Sequence, residues 1–562
     1  MRTHLRLFRA VAGLLGIALI AGGAVSAAPP AHAQAGSVHA PVSGAGSSWS
    51  SNAVDQWISN VWANYRWRVT FDKQGSSKGR QFFANDSVDF AVSEIPYALP
   101  GSDAVDPRPS RPLAYMPIVA GGTSFMYNLV IGGKRVTNLR LSGETITKIF
   151  TNVITQWDDP QIAADNPGLA LPSIPIIPVV RSDGSGTSAQ FSAWMRSEYG
   201  GLWQDFCNRI NKTNCGITSN YPVPAGTRFQ GKSGSEGVAG FVRQSHAVGA
   251  ITYVEYSYAL HAGFPVAKVL NNAGYYTEPT AQNVAVALLA AQINEDQASP
   301  DYLTQRLEGV YRSADPRTYP LSSYSYMILP TAIPASGPGS KFSVNKGLTL
   351  ADFAAYFLCE GQQQAEQLGY SPLPINLVQA GQQQIQKIPG GNPTIKGISD
   401  CNNPTFDPDG GNRLANTAPY PQDCDKQGPT QCTTGTGGAR DESTDNTGGG
   451  AGSGGAGGGT GGTGGSAGGA GATGDGAGAA DGGASTGGDA VASDADTVSV
   501  DGAPVTVAAS PVAIPVGGIG ASAFMLAGAA ALLAAVLLPP FLSRLRRQAA
   551  AGRAGGTPPP TR

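Results

Sequence analysis

The chain carries almost no net charge: 37 Lys and Arg stand against 39 Asp and Glu, leaving −2 over 562 residues. That balance gives no global field for a nucleic acid or another polyanionic partner, and neither is expected. Histidine is scarce, five in all. Beyond the N-terminal segment only His39, His246 and His261 remain, and none has a local setting that suggests the base of a nucleophile. No C-x-x-C pair and no metal-ligand spacing occurs, so neither a metal site nor a resident cofactor is expected. These absences argue against an enzyme. The first stretch contains no cysteine, which excludes a lipid-modified cysteine as an N-terminal tether. No LP-x-T-G-like signal precedes the apolar run near the C-terminus, so covalent wall attachment is not expected either.

What is present points outside the cell. Arg2, Arg6 and Arg9 are followed by an apolar run from Ala10 to about Val25 and by Ala31-His32-Ala33. This is the pattern of a secretory signal over residues 1–33. A second apolar run, 514–538, holds no charge and is long enough to cross a bilayer. Arg544, Arg546, Arg547 and Arg553 follow it, which places 539–562 as a basic cytoplasmic tail. The expected protein is exported and held at the outer face of the cell membrane by a C-terminal transmembrane helix. Six cysteines, Cys207, Cys215, Cys359, Cys401, Cys424 and Cys432, favour disulfides in that compartment. Proximity suggests 207–215 and 424–432, with 359–401 left over.

Composition divides the rest. Residues 36–390 are ordinary globular sequence. Residues 391–432 form a Pro-, Asn- and Gly-rich extension with three of the cysteines. From 433 to about 510 the chain is dominated by Gly, Ala, Ser, Thr and Asp, which bury too little apolar surface to fold. The most biased part, 433–492, is roughly 60 residues of expected disordered linker; it spans about 40 Å and keeps the domain near membrane partners.

Within 36–390, strand-like and helix-like patterns alternate, as in an α/β fold. Ala53, Val54, Trp57, Ile58, Val61, Trp62 and Tyr65 recur at helical spacing, and Trp57, Trp62 and Trp67 read as packing residues. Ser142 caps a predicted helix over 143–152. Thr349 and Asp352 suggest a capping box before Phe353. The most informative stretch is Arg181-Ser182-Asp183-Gly184-Ser185-Gly186-Thr187, between a branched-aliphatic strand, 174–180, and a predicted helix over 188–197. A small-residue turn there exposes backbone N–H groups at the positive end of a helix dipole, which suits an anion. Ser185 and Thr187 add hydroxyls. Arg181 adds a planar fork for an oxyanion, and Asp183 can hold Arg181 in one orientation. Gly44–Trp49 and Gly75–Gly79 are two more small-residue turns before helices, and Asp89–Glu94 is a short strand that ends in a carboxylate.

Leu141-Ser-Gly-Glu, Ile154-x-x-Trp157-x-Asp159-Pro160, Asn166-Pro167-Gly168 and Arg181–Thr187, in this order and spacing, resemble the phosphate-binding proteins of high-affinity phosphate ABC importers. The resemblance covers about 36–390. It implies a two-lobed periplasmic-binding-protein-like α/β fold of type II with a hinge, lobe one being about 36–127 and 320–390 and lobe two about 128–319. It implies a phosphate site from Ser48, Trp49 (through its backbone N–H), Ser76 and Glu94 of one lobe and Arg181, Asp183, Ser185, Gly186 and Thr187 of the other. The implied protein is a monomer that delivers inorganic phosphate to ABC permease subunits without turnover. Three departures are visible. The family usually has aspartate where Glu94 stands, a glycine near Lys78, and Thr-Phe-Pro where Ser48-Trp49-Ser50 stands. A buried carboxylate accepts a hydrogen bond from protonated phosphate and repels sulfate. The extra methylene of Glu94 leaves room for a phosphate ester. The alternative function is a membrane-anchored phosphate sensor, or a binder of a phosphorylated solute, not coupled to transport.

Overall fold

Branched and aromatic runs of four to six residues, each followed by a Gly- or Ser-rich turn and an amphipathic segment, build parallel strands with helices between them. The computed structural model describes residues 39–104, 106–333, 342–393, 397 and 400–444, with the backbone of 498–500 and 503–505. The expected signal segment, the transmembrane run, the basic tail and nearly all of the expected linker lie outside the described residues. Among those described, no helix is long and apolar enough to cross a membrane.

Lobe one starts with β1 (Val42–Gly46), α1 (Ser51–Tyr65), β2 (Val69–Asp72), α2 (Ser76–Ala84) and β3 (Phe90–Ser93). β1 pairs parallel with both β2 and β3. The long β4 (Leu113–Tyr127) then leaves the lobe. Lobe two contains β5 (Ile177–Arg181), α3 (Gly186–Glu198), β6 (Gln230–Lys232), α4 (Gly234–Val242) and β7 (Ala250–Glu255). The chain returns through β8 (Ser322–Pro330) and α5 (Val344–Leu358). The main strand path is β2-β1-β3-β8-β4-β7-β5-β6. β4 serves both lobes. Its residues 113–122 pair antiparallel with β8, and residues 123–127 pair with β7. The joint between lobes therefore falls at Gly121–Thr123, where one strand changes partners.

Each lobe has its own apolar interior. In lobe two Phe125, Phe150, Phe191, Trp203, Tyr221 and Tyr253 are buried together, each aromatic contributing roughly 1.5–3 kcal/mol relative to exposure. In lobe one Trp57 stacks on Phe357 at 4.7 Å. Trp57 is buried as the helical spacing predicts, but Trp62 is 44% exposed. It lies in the last turn of α1, with Arg66 and Arg68 over its ring. Trp67 is half-buried, stacked between His39 and Tyr65.

The helix over Gly143–Phe150 is capped by Ser142, which accepts the Thr145 N–H. The capping box at Thr349 does not form. α5 begins at Val344 with Ser343 as its cap, and Thr349 lies inside the helix, bonding through Oγ1 to the carbonyls of Ala40 and Asn345. A threonine can satisfy its hydroxyl by bonding back one turn, so the motif alone does not mark a start.

All three expected disulfides are present: Cys207–Cys215, Cys359–Cys401 and Cys424–Cys432. The segment 400–444 is a strap joined to both lobes. Cys401 and the bonds from Asn403 and Thr405 to the Leu373 carbonyl, at 3.1 and 2.7 Å, fix it to lobe one. Leu414 and Ala415 pack on Ala281, Ala285 and Val286. Lys268 then pairs with Asp425 at 2.7 Å, Arg140 donates to the Thr430 carbonyl at 2.8 Å, and Asn138 donates to the Cys432 carbonyl at 2.7 Å. The expected linker start at 433 is corrected by this packing. Thr137 donates its N–H to Thr444 Oγ1, and Thr436 Oγ1 bonds to the Thr137 carbonyl. The glycines here serve close approach: a Cβ on Gly438 would lie 2.6 Å from the Ala259 carbonyl oxygen.

Candidate functional site

Four strand-to-helix turns meet between the lobes. β1 ends at Gly46, where a Cβ would stand 2.1 Å from the Val92 carbonyl oxygen, so glycine alone lets β1 and β3 run this close. The turn then presents Ser47, Ser48 and Trp49, all buried, before α1. Gly75, at φ +89°, starts α2 and faces lobe two, a Cβ there lying 2.5 Å from Asp183 Oδ2. From lobe two, β5 delivers Arg181, and Ser185 caps α3 by accepting the Ser188 N–H at 3.2 Å. β6 leads to the start of α4 at Gly234 and Ser235. Four helix starts come together here, and the N–H groups of Ser77, Gly186, Gly234 and Ser235 at three of them are given to acceptors within the site; the positive ends of helices at one place suit an anion.

The lobes touch directly there. Ser48 Oγ lies 2.9 Å from Ser235 Oγ, and the Ser235 N–H donates to the same Ser48 oxygen at 2.9 Å. The Gly186 N–H donates to Ser76 Oγ at 3.1 Å. The Ser77 N–H donates to the Gly184 carbonyl at 3.0 Å. Ser76 passes its own hydrogen to Glu94 Oε2 at 2.7 Å, so the chain Gly186–Ser76–Glu94 links the start of α3 to the buried acid.

Arg181 is buried and its fork is largely committed. Nε donates to Asp183 Oδ1 at 2.7 Å, and Nη2 donates to Asp183 Oδ2. Asp183 also accepts the Gly234 N–H at 2.9 Å. Burial alone would raise the Asp183 carboxyl; the hydrogen bonds and charge of Arg181 outweigh it and hold the group below its usual value. Burial alone would weaken the Arg181 cation, and Asp183 overrides that too, keeping it charged. Nη1 makes two longer contacts, 3.4 Å to Thr187 Oγ1 and 3.4 Å to Ser235 Oγ. Because Asp183 pairs with Arg181, that pair adds no excess positive charge, and an anion here would rely on amides, hydroxyls and helix ends.

The structure brings eight of the nine predicted residues to one place: Ser48, Ser76, Glu94, Arg181, Asp183, Ser185, Gly186 and Thr187. Trp49 is in place but its N–H donates to Ser47 Oγ at 2.9 Å, within its own turn. Its indole lies against Gly121 of β4, edge-on to Tyr370. Lys78 is exposed and bonds to Gln81, away from the site. Two residues escaped the sequence reading. Ser235 follows a strand and begins a helix in the turn Ser233-Gly234-Ser235, the same signal as the other three turns. Ser325 lies inside β8 and has no local signal.

A model for the PBP superfamily domain matches residues 26–360. The phosphate-binding protein PstS 2 of Mycobacterium tuberculosis is 29% identical over 376 residues, 65% of this chain and 92% of that protein. The phosphate-binding protein PstS of Xylella fastidiosa is 31% identical over 355 residues, 63% of this chain and 86% of that protein. Among solved structures, an ancestral soluble variant of the human phosphate-binding protein overlays on 63% of this chain with 18% identity and a TM-score of 0.46. With a family model over more than half its length and a relative 31% identical across 86% of that relative, the chain belongs to the PBP superfamily and to the phosphate-binding proteins within it.

Proposed function

We propose that this protein is an extracytoplasmic receptor that closes its two lobes on inorganic phosphate and delivers it to an ABC importer, without turnover. The observation that carries this reading is the convergence of four helix starts on Arg181 and on Glu94, a buried carboxylate able to accept the proton that phosphate keeps near neutral pH. The phosphate-binding residues in this reading are Ser48, Ser76, Glu94, Arg181, Ser185, Gly186 and Thr187, with Asp183 orienting Arg181 and Trp49 closing the pocket beside the hinge. The direct Ser48–Ser235 and Gly186–Ser76 contacts favour a small ion over an ester with a bulky group. Three disulfides support an oxidising compartment, and the apolar run 514–538 supports a tether to the outer face of the membrane.

Two measurements separate the parts of this proposal. Phosphate should raise the melting temperature of the purified protein while sulfate at the same dose does not; equal shifts would refute selectivity for a protonated oxyanion. Loss of the protein should lower phosphate uptake under starvation. Unchanged uptake with intact binding would favour a surface sensor over a transport receptor.

A further inference from the structure

The acid of this site is a glutamate, one methylene longer than aspartate, and the fold has to hold that extra reach back. The Glu94 carboxylate is 1% exposed. Oε2 accepts the Ser76 hydroxyl at 2.7 Å, and Oε1 accepts the Ser325 hydroxyl at 3.0 Å. The two contacts come from different directions, Ser76 from the start of α2 and Ser325 from the hinge strand β8. The carboxylate also lies against the first residue of α3: a Cβ on Gly186 would stand 2.0 Å from Oε2.

Ser325 sits where the β8–β4 ladder slips. Ser325 faces Val119, the next residue Tyr326 faces Pro117, and Ile118 is left unopposed. Proline has no N–H to give the ladder, so an irregularity at Pro117 has a local cause. Such slips raise the local twist and re-aim side chains beside binding sites. Among the described residues, Ser325 Oγ, fully buried, reaches only Glu94 Oε1 and, at 3.1 Å, Ser50 Oγ. Its single hydrogen can serve one acceptor, and a carboxylate is the stronger one.

Resting on the receptor reading above, we propose that Ser325 is a positioning residue that retracts the Glu94 carboxylate, fitting this longer acid to a protonated tetrahedral oxyanion. With Ser325 in place, each carboxylate oxygen is fixed by one hydroxyl and keeps a lone pair for the ligand proton. Without it, the carboxylate can swing about its extra bond towards the volume the anion needs.

Calorimetric titration of the whole protein with phosphate and with sulfate tests this in five forms: wild type, Ser325→Ala, Ser325→Thr, Glu94→Asp, and Ser325→Ala with Glu94→Asp. Ser325→Ala should weaken phosphate binding about tenfold, the loss of one hydrogen bond to a charged group, and narrow the preference over sulfate. Ser325→Thr keeps the hydroxyl and should restore both. In the Glu94→Asp background, where the shorter acid no longer reaches Ser325, the same Ala change should cost less than about threefold. An equal loss in both backgrounds, or loss of affinity with the phosphate-to-sulfate ratio unchanged, would make Ser325 a packing residue and overturn the proposal. If Ser325→Ala does not fold, failure of Ser325→Thr to restore the ratio overturns it. A wild type that gives no heat with phosphate overturns the receptor reading itself, an outcome distinct from all of these.

Discussion

Ser48 of lobe one and Ser235 of lobe two meet hydroxyl to hydroxyl at 2.9 Å, and the Ser235 amide donates to the same oxygen. The contact joins the start of α1 to the start of α4 across the cleft, so it exists only when the lobes are together. It belongs to the meeting of the two lobes and not to either lobe alone.

Removing it should therefore tax closure without harming folding. Ser235→Ala should weaken phosphate binding about fivefold, the worth of roughly 1 kcal/mol of neutral hydrogen bonding, with the melting temperature of the ligand-free protein little changed. Ser48→Ala in addition should cost less than the sum of the two single changes, because they break one shared contact. Strict additivity in titrations of the four forms would show that the pair is not a unit.

Gly186 is required for a different reason. A Cβ there would lie 2.0 Å from Glu94 Oε2 and 2.6 Å from Ser76 Oγ, both on the opposite lobe. Gly186→Ala should obstruct closure, lowering affinity by about ten- to hundredfold, the effect of overpacking a tight contact. Small-angle scattering should find the variant open at phosphate concentrations that close the wild type.

Glu255 ends β7 opposite Thr123, where β4 passes between lobes. Burial raises its carboxyl well above the usual 4.5, and this outweighs the hydrogen bond from the Ser257 N–H. Oε1 has no hydrogen-bond partner among the described residues. The folded form thus binds a proton more tightly than the unfolded chain. Stability from this group is fully present below pH about 4.5 and falls as pH rises through its folded value. Glu255→Gln should leave the melting temperature unchanged near pH 4 and raise it near pH 8. A variant less stable than wild type near pH 8 would contradict this assignment.

The Cys359–Cys401 disulfide fastens the strap to lobe one. Replacing both cysteines by alanine should lower stability by about 2–4 kcal/mol, the usual worth of a bridge closing a loop of this order. It should also expose residues 400–420 to proteolysis before the rest. Chemical denaturation and limited proteolysis check the two halves of this expectation.

Legibility followed the range of the interactions. Arg181–Thr187 could be read because a strand, a small-residue turn and a helix cap are local, and the structure keeps all three. The disulfides at eight residues' separation were equally local. Ser325 could not be read: its role comes from a slip in the ladder with β4, some two hundred residues earlier in the chain, that no pattern within β8 records. Thr349 carried a cap-like motif that the helix starting at Val344 absorbed. Gly435 to Gly438 looked like linker because glycine serves flexible chain and tight packing alike, and only the contacts with Ala259 and Phe264 tell them apart.

The central claim is that one guanidinium, held by Asp183 and surrounded by helix-start amides and hydroxyls, binds phosphate. Titrating phosphate calorimetrically into the wild type and into Arg181→Ala tests it most directly. The account predicts a saturable exothermic or endothermic signal with one site per chain for the wild type, and affinity lower by about a hundredfold or more in the variant, as expected when a buried charged donor is lost. Phosphate binding of wild-type strength in Arg181→Ala would contradict it.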